Sequence, residues 1–332
     1  MTSVVPTFQP RVGYARDLRE NLEAQLCESY AELLESIESA LSIDEGRLTS
    51  LAPSVSRDRP LSSIFYATHW RIGEAVDSGT RDHILPALHE LNAGGYDTFD
   101  LRVRTYRGDY IDGAADEYLA GREGRRISRP TAVSGDPSAD LAGLSTERLA
   151  ELSPLVHSTI QLIGKLDGGM GDEVRQYVRE IRIVDSHVIG GMSSVRFFGT
   201  VFLRQSVPGI SADSAQVHFF SGIVHETSHH HLHALMAVDP LVLNRSERFD
   251  SPLRKDKRPM LGIYHATFVL ARLSHMFARW NNAHPGNDEV MGQLVEARQR
   301  LAKGLATVRQ HGELTPLGAD FLESMVAETS IG

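Results

Sequence analysis

The run Val224-His225-Glu226-Thr227-Ser228-His229 places two histidines four residues apart, with a glutamate directly after the first. On an α-helix, side chains at that spacing share a face with their Cβ atoms about 5–6 Å apart, so His225 and His229 can offer two imidazoles to one ion. Glu226 projects roughly 100° round from His225, near enough to serve the outer sphere without binding. This is the HExxH arrangement, and the competing explanation is a pair of core histidines satisfied by other polar groups. His230 and His231 follow, about 100° and 200° away from His229, and His233 falls between those faces, so one ion cannot take them all. His218 shares the face of His225 two turns earlier and reads as packing or as an outer-sphere group. Gly222 leaves room one turn before His225, for a ligand or for close packing.

Two ligands from one helix hold a metal weakly, so a third must come from elsewhere. The metzincin form is excluded, because Leu232 and Leu235 stand where it needs glycine and histidine. The gluzincin form would take Glu247, which lies in the polar stretch "NRSERFD". The remaining candidate is His265, set early in an apolar helical pattern among Leu261, Ile263, Phe268, Val269 and Leu270, where a histidine is expensive without a partner. Just before it, Arg254, Lys255, Lys257 and Arg258 concentrate positive charge between Pro252 and Pro259. That run is either a solvated loop or a grip for a carboxylate, since guanidinium holds a carboxylate through two parallel hydrogen bonds.

His225-Glu226-x-x-His229, followed by Ser251-Pro252-x-Arg254-x-Asp256-x-Arg258-Pro259-x-x-Gly262-x-x-His265, resembles the HExxH-type iron- and 2-oxoglutarate-dependent peptide β-hydroxylases, encoded beside ribosomally made, post-translationally modified peptides. The resemblance covers about Phe219 to Phe268. Leu253 stands where the family pattern has tryptophan, and Tyr264-His265-Ala266 replaces a more usual Leu-His-Gly. What the resemblance implies is an Fe(II) site on His225, His229 and His265, with 2-oxoglutarate anchored by Arg258 or Arg254. It also implies a precursor peptide as substrate and hydroxylation at a side-chain β-carbon as reaction. Glu226 would then orient a ligand or contact substrate. In the rival reading, a Zn metallopeptidase, Glu226 would be the general base. A third reading is a leader-peptide binding protein with an inert metal site.

These residues need elements to hold them. Leu18, Leu22, Leu26, Leu33, Ile37 and Leu41 recur at helical spacing behind Asp17-x-x-Glu20, which predicts one long amphipathic helix. A shorter helix is expected over His83–Leu91, ended by Gly94-Gly95, and a strand over Asp97–Tyr106. The Gly-, Pro-, Ser- and Arg-rich stretch from Gly121 to Gly143 reads as a linker or a loop, dividing a helical and possibly peptide-binding region, 1–143, from a catalytic region, 144–332. Beyond it, helices are expected over Thr146–Ile163, interrupted near Pro154, and over Asp172–Glu180. Strands are expected over Ile181–Asp185 and Ser194–Ser206, joined through Gly190-Gly191. Helices then follow over Ser214–Val238, Leu261–Trp280, Asp288–Gln310 and Pro316–Thr329. The fold class is therefore α+β, predominantly α-helical, with a small sheet preceding the histidine helix in a zincin-like arrangement around the metal.

The chain has 332 residues with 41% hydrophobic content, enough for a substantial core. Its net charge of −9, with acids and bases interspersed, argues against nucleic-acid binding and gives no basic membrane-seeking helix. The single cysteine, Cys27, can form no intrachain disulfide, and no apolar run reaches the ~18 residues of a membrane span, so a cytoplasmic protein is expected. Oligomeric state is not legible in the sequence.

Overall fold

The computed structural model describes residues 7–41, 47–80, 84–93, 95–124, 141–251 and 256–329. Of the expected linker, residues 125–140 lie outside the described residues. The chain forms a predominantly helical α+β fold with two small sheets among the described residues. Its contacts divide it into two compact units, neither of them contiguous in sequence. A helical unit comprises Met1–Leu18, Pro154–Val174 and Ser206–Gly332, and a sheet-bearing unit comprises Arg19–Ser153 and Arg175–Gln205.

The elements of the first 124 residues are α1 (Tyr14–Leu41), α2 (Ser63–Ser78), α3 (Ile84–Ala93), β1 (Arg102–Thr105) and α4 (Tyr110–Gly124). The apolar stripe of α1 is buried through Leu18, Leu22, Tyr30, Leu34 and Ile37. Cys27 lies partly buried on α1, where burial first, and then Glu23 and Glu28, push its thiol up to about 11. A thiol held protonated in this way packs rather than reacts.

Helices α5 (Thr146–Leu166) and α6 (Gly168–Tyr177) follow, and α5 continues through Pro154 instead of breaking there. Then come β2 (Glu180–Val184), β3 (Gly191–Met192) and β4 (Thr200–Arg204), giving a sheet of order β1-β2-β4-β3. β1, β2 and β4 run parallel, with Ile181 opposite Val103 and Val201, and β3 pairs antiparallel with β4. All five residues of β2 are buried, as expected of a central parallel strand covered on both faces. Val184 and Phe202 pack with Ala67 of α2, Ala115 of α4 and Phe197 in one apolar cluster.

The helical unit contains α7 (Ala212–Met236), the short ribbon β5 (Arg248–Phe249) and β6 (Arg258–Pro259), and helices α8 (Met260–Ala283), α9 (Asp288–His311) and α10 (Pro316–Thr329). Phe220 meets Phe277 and Trp280, His231 meets Phe268, and His233 meets His265, so α7 and α8 lie antiparallel. α9 starts on Asn287, whose side chain accepts from the amides of Glu289 and Val290, each at 3.1 Å. It approaches α8 closely because Gly304 faces Thr267, where an added Cβ would meet the Thr267 side chain. No helix among the described residues is long and apolar enough to cross a membrane.

Candidate functional site

Helix α7 carries the HExxH residues and is fixed at both its start and its middle. Ser211 caps it by accepting from the amide of Ser214 at 3.0 Å, with Asp213 favourable in the first turn. The Ser228 hydroxyl bonds back to the Val224 carbonyl at 2.6 Å, which leaves no unsatisfied oxygen on the packed face.

The structure brings His225 and His229 together, Nε2 to Nε2 at 3.2 Å, with ring centroids 4.9 Å apart. One nitrogen must donate and the other accept, so the pair shares a proton. His229 is held well below the ordinary histidine range by burial and then by the neighbouring imidazoles of His225, His265, His233 and His230. It is the neutral inner member. The His225 side chain is 39% exposed and forms the outer member, while the Glu226 side chain is only 5% exposed, with its carboxylate 4.0 Å from His225 Nε2.

His265 approaches this pair from α8 but does not close on it. Its ring centroid lies 5.8 Å from that of His229, and its Nε2 lies 3.1 Å from the sulfur of Met236. It also packs against His233 at 5.8 Å. Burial, His233 and Arg245 push it down to about 3, and burial pushes His233 down to about 4. Arg258 sits partly buried on β6, and Arg254 lies outside the described residues. Glu247 is exposed and hydrogen-bonded by Asn244 at 3.4 Å.

The expected cofactors are corrected by this geometry. Among the described residues no group of three or more His, Cys, Asp or Glu side chains is placed to hold a metal ion. Neither Fe(II) with 2-oxoglutarate nor the alternative Zn is therefore supported. The physical reason is the direction of the third ring, whose Nε2 faces the Met236 thioether at the end of α7 while the paired Nε2 atoms face each other.

The neighbouring histidines do other work. His231, on the opposite side of α7, places Nδ1 3.2 Å from buried Glu173 and stacks on Phe268. His275 lies 3.2 Å from Asp167, which also binds Arg279 at 3.0 Å. A polar cavity of about 400 Å³, lined by Lys165, Asp213, Gln216 and His284 among others, sits at the other end of the α7 and α8 pair.

His233 and Met236 are the neighbours that sequence reasoning missed. The signal was present, because His225, His229 and His233 repeat at four-residue spacing and form one row along α7 rather than separate faces.

The row is acid-sensitive, and the sign follows from the lowered values. Unfolded histidines bind protons near pH 6.5, whereas His233 and His265 resist doing so until about pH 4 and 3. Their contribution to stability is thus complete above about pH 6.5 and is lost as pH falls below it, at up to about 1.4 kcal/mol per histidine per pH unit. Urea unfolding midpoints measured at pH 7 and pH 5 should show a clear drop. The drop should shrink in His265→Gln.

No protein-family model matches the chain, and no curated protein matches it.

Proposed function

We propose that this chain is a cytoplasmic peptide-modifying enzyme that hydroxylates the β-carbon of a residue in a ribosomally made precursor peptide, with its reaction centre at His225 on α7. The observation that carries this reading is the paired imidazoles of the HExxH motif, at 3.2 Å, with a neutral inner ring and an outer ring open to a substrate. The further likeness of the Arg258 to His265 stretch to peptide hydroxylases supports the choice of substrate class, and the order of a mixed sheet before the histidine helix supports a zincin-like arrangement by analogy. No cofactor forms part of the proposal.

Within it, His225 takes or gives a proton at the surface of the site, and His229 keeps the His225 ring in one orientation through their shared hydrogen bond. Glu226, buried beside His225, fixes the local charge. Oxidation of a C–H bond needs an oxidant, so the test is made inside a cell, where small co-reactants are present.

Co-expression with a precursor peptide encoded beside this chain, followed by intact mass analysis and fragmentation, should show a gain of one oxygen at a side chain. His225→Ala should lower the modified fraction at least about 100-fold. A cleaved peptide would replace this reading with a peptidase. An unchanged peptide that still binds tightly would make the chain a binding protein.

A further inference from the structure

The sheet-bearing unit buries an arginine that nothing in the proposed reaction uses. Arg179, just before β2, is 2% exposed, and its Nη1 and Nη2 make no hydrogen bond among the described residues. The acids near it are already engaged. Glu23 accepts from Arg19 at 2.6 Å and from the amide of Leu61 at 3.0 Å, and Asp97 accepts from Arg102 at 2.7 Å. The ring of Phe99 covers the guanidinium at 4.9 Å. Burial and then Arg19 push Arg179 down to about 9, so it still carries its charge at neutral pH. A buried guanidinium without a bonded counter-charge is costly, and arginine does not relieve that cost by losing its proton.

The same place gathers further donors. Ser62 is the N-cap of α2, yet its side chain makes no capping bond, and its Oγ has no partner among the described residues. One turn on, Tyr66 is 3% exposed with its hydroxyl likewise unpartnered. Gly199, at φ +100°, ties these parts together. A Cβ there would meet Ser63 Oγ at 3.0 Å and Arg179 Cγ at 3.4 Å, so the arginine stem runs beside the start of α2. The amide end of a helix carries roughly half a positive charge, and Arg179 adds a whole one.

We propose that Arg179, the Ser62 and Tyr66 hydroxyls and the first turn of α2 form a buried site for a small monovalent anion of the chloride class. One and a half positive charges suit a monoanion, while a phosphate dianion would exceed them. The site lies in the sheet-bearing unit and is independent of the histidine row. By linkage it makes that unit's stability rise with anion concentration.

The test uses the full chain at constant ionic strength, with sodium gluconate exchanged stepwise for sodium chloride. The thermal unfolding midpoint should rise with chloride in the native protein and stay flat in Arg179→Met. Tyr66→Phe and Ser62→Ala keep the cation and should each need roughly fivefold more chloride for the same rise. Should Arg179→Met fail to fold, these two variants still decide. Crystals soaked in sodium bromide should give an anomalous peak at Arg179 Nη. A flat response in the native protein without a bromide peak would overturn the proposal. So would a chloride response undiminished in the three variants, or a stronger response to phosphate than to chloride.

Discussion

Replacing Glu173 by glutamine should destabilise the helical unit by about 3–5 kcal/mol, the cost of removing one partner from a buried ion cluster. Glu173 is 1% exposed and receives both Nη atoms of Arg272, one of them at 3.0 Å, together with His231 Nδ1 at 3.2 Å. Arg272 also donates from Nε to the Phe8 carbonyl at 2.9 Å and lies 4.6 Å over the Phe268 ring, on which His231 stacks. One carboxylate therefore joins α6, α7, α8 and the Phe8 segment. Burial alone would raise its pKa, yet Arg272 and His231 outweigh burial and hold it at about 2. Because the folded value is depressed from 4.5, the stabilisation is complete above about pH 4.5 and is lost as pH falls towards 2, amounting to about 3 kcal/mol. Urea unfolding across that range should slope steeply in the native protein and flatten in Glu173→Gln. The double replacement Glu173→Leu with Arg272→Met removes both charges and should cost less than the single one. A single-variant loss below about 1 kcal/mol would show that the cluster contributes little.

Helices with clean apolar stripes were legible in the sequence. The stripe Val290, Leu294, Leu301, Leu305 and Val308 became α9, with Asn287 as its cap, and all five residues are buried. α2 and α4 were not legible. α2 mixes aromatic residues with Gly73, and α4 contains Gly113 and Gly121, which read locally as breakers. Gly113 is instead a place of close approach, since a Cβ there would lie 3.0 Å from the guanidinium of Arg71. Such contacts depend on residues distant in sequence, and periodicity cannot report them. The expected strand over Asp97–Tyr106 shortens to Arg102–Thr105 for a similar reason. The amide of Asp97 is taken by the Pro60 carbonyl and its carboxylate by Arg102.

Within the site, the His225 and His229 pairing was readable because helix geometry alone sets it. The aim of His265 was not. Its ring direction depends on how α8 lies against α7, and that packing turns Nε2 towards Met236. The alternation of apolar residues in β2 was equally misleading at one position. Arg182 reads as the solvent-facing residue of a strand, yet it is buried at the centre of the sheet among carboxylates.

Arg182 is where the sheet-bearing unit should prove most vulnerable. Its Nη1 lies 2.6 Å from both Asp109 Oδ1 and Asp112 Oδ1, and its Nε lies 2.5 Å from Glu180 Oε1. Asp112 is fully buried, and its other oxygen accepts from the amides of Arg107 and Gly108 at 2.6 and 2.9 Å. The turn entering α4 is thereby fastened to the central strand. Arg182→Met would leave Asp112 buried against amides alone and Glu180 with only the more distant Arg102 and Arg104, at 3.5 and 3.4 Å. A loss of about 3–5 kcal/mol is expected, read as a lowered urea midpoint through Trp70, which sits in this unit against Arg196 at 3.8 Å. Arg182→Lys keeps the charge but cannot reach several carboxylates from one planar fork, so it should fall between the native protein and Arg182→Met. If lysine matched arginine, charge alone would account for the network. If Arg182→Met kept the native midpoint, the turn before α4 would be held by its amide contacts to Asp112 rather than by the strand.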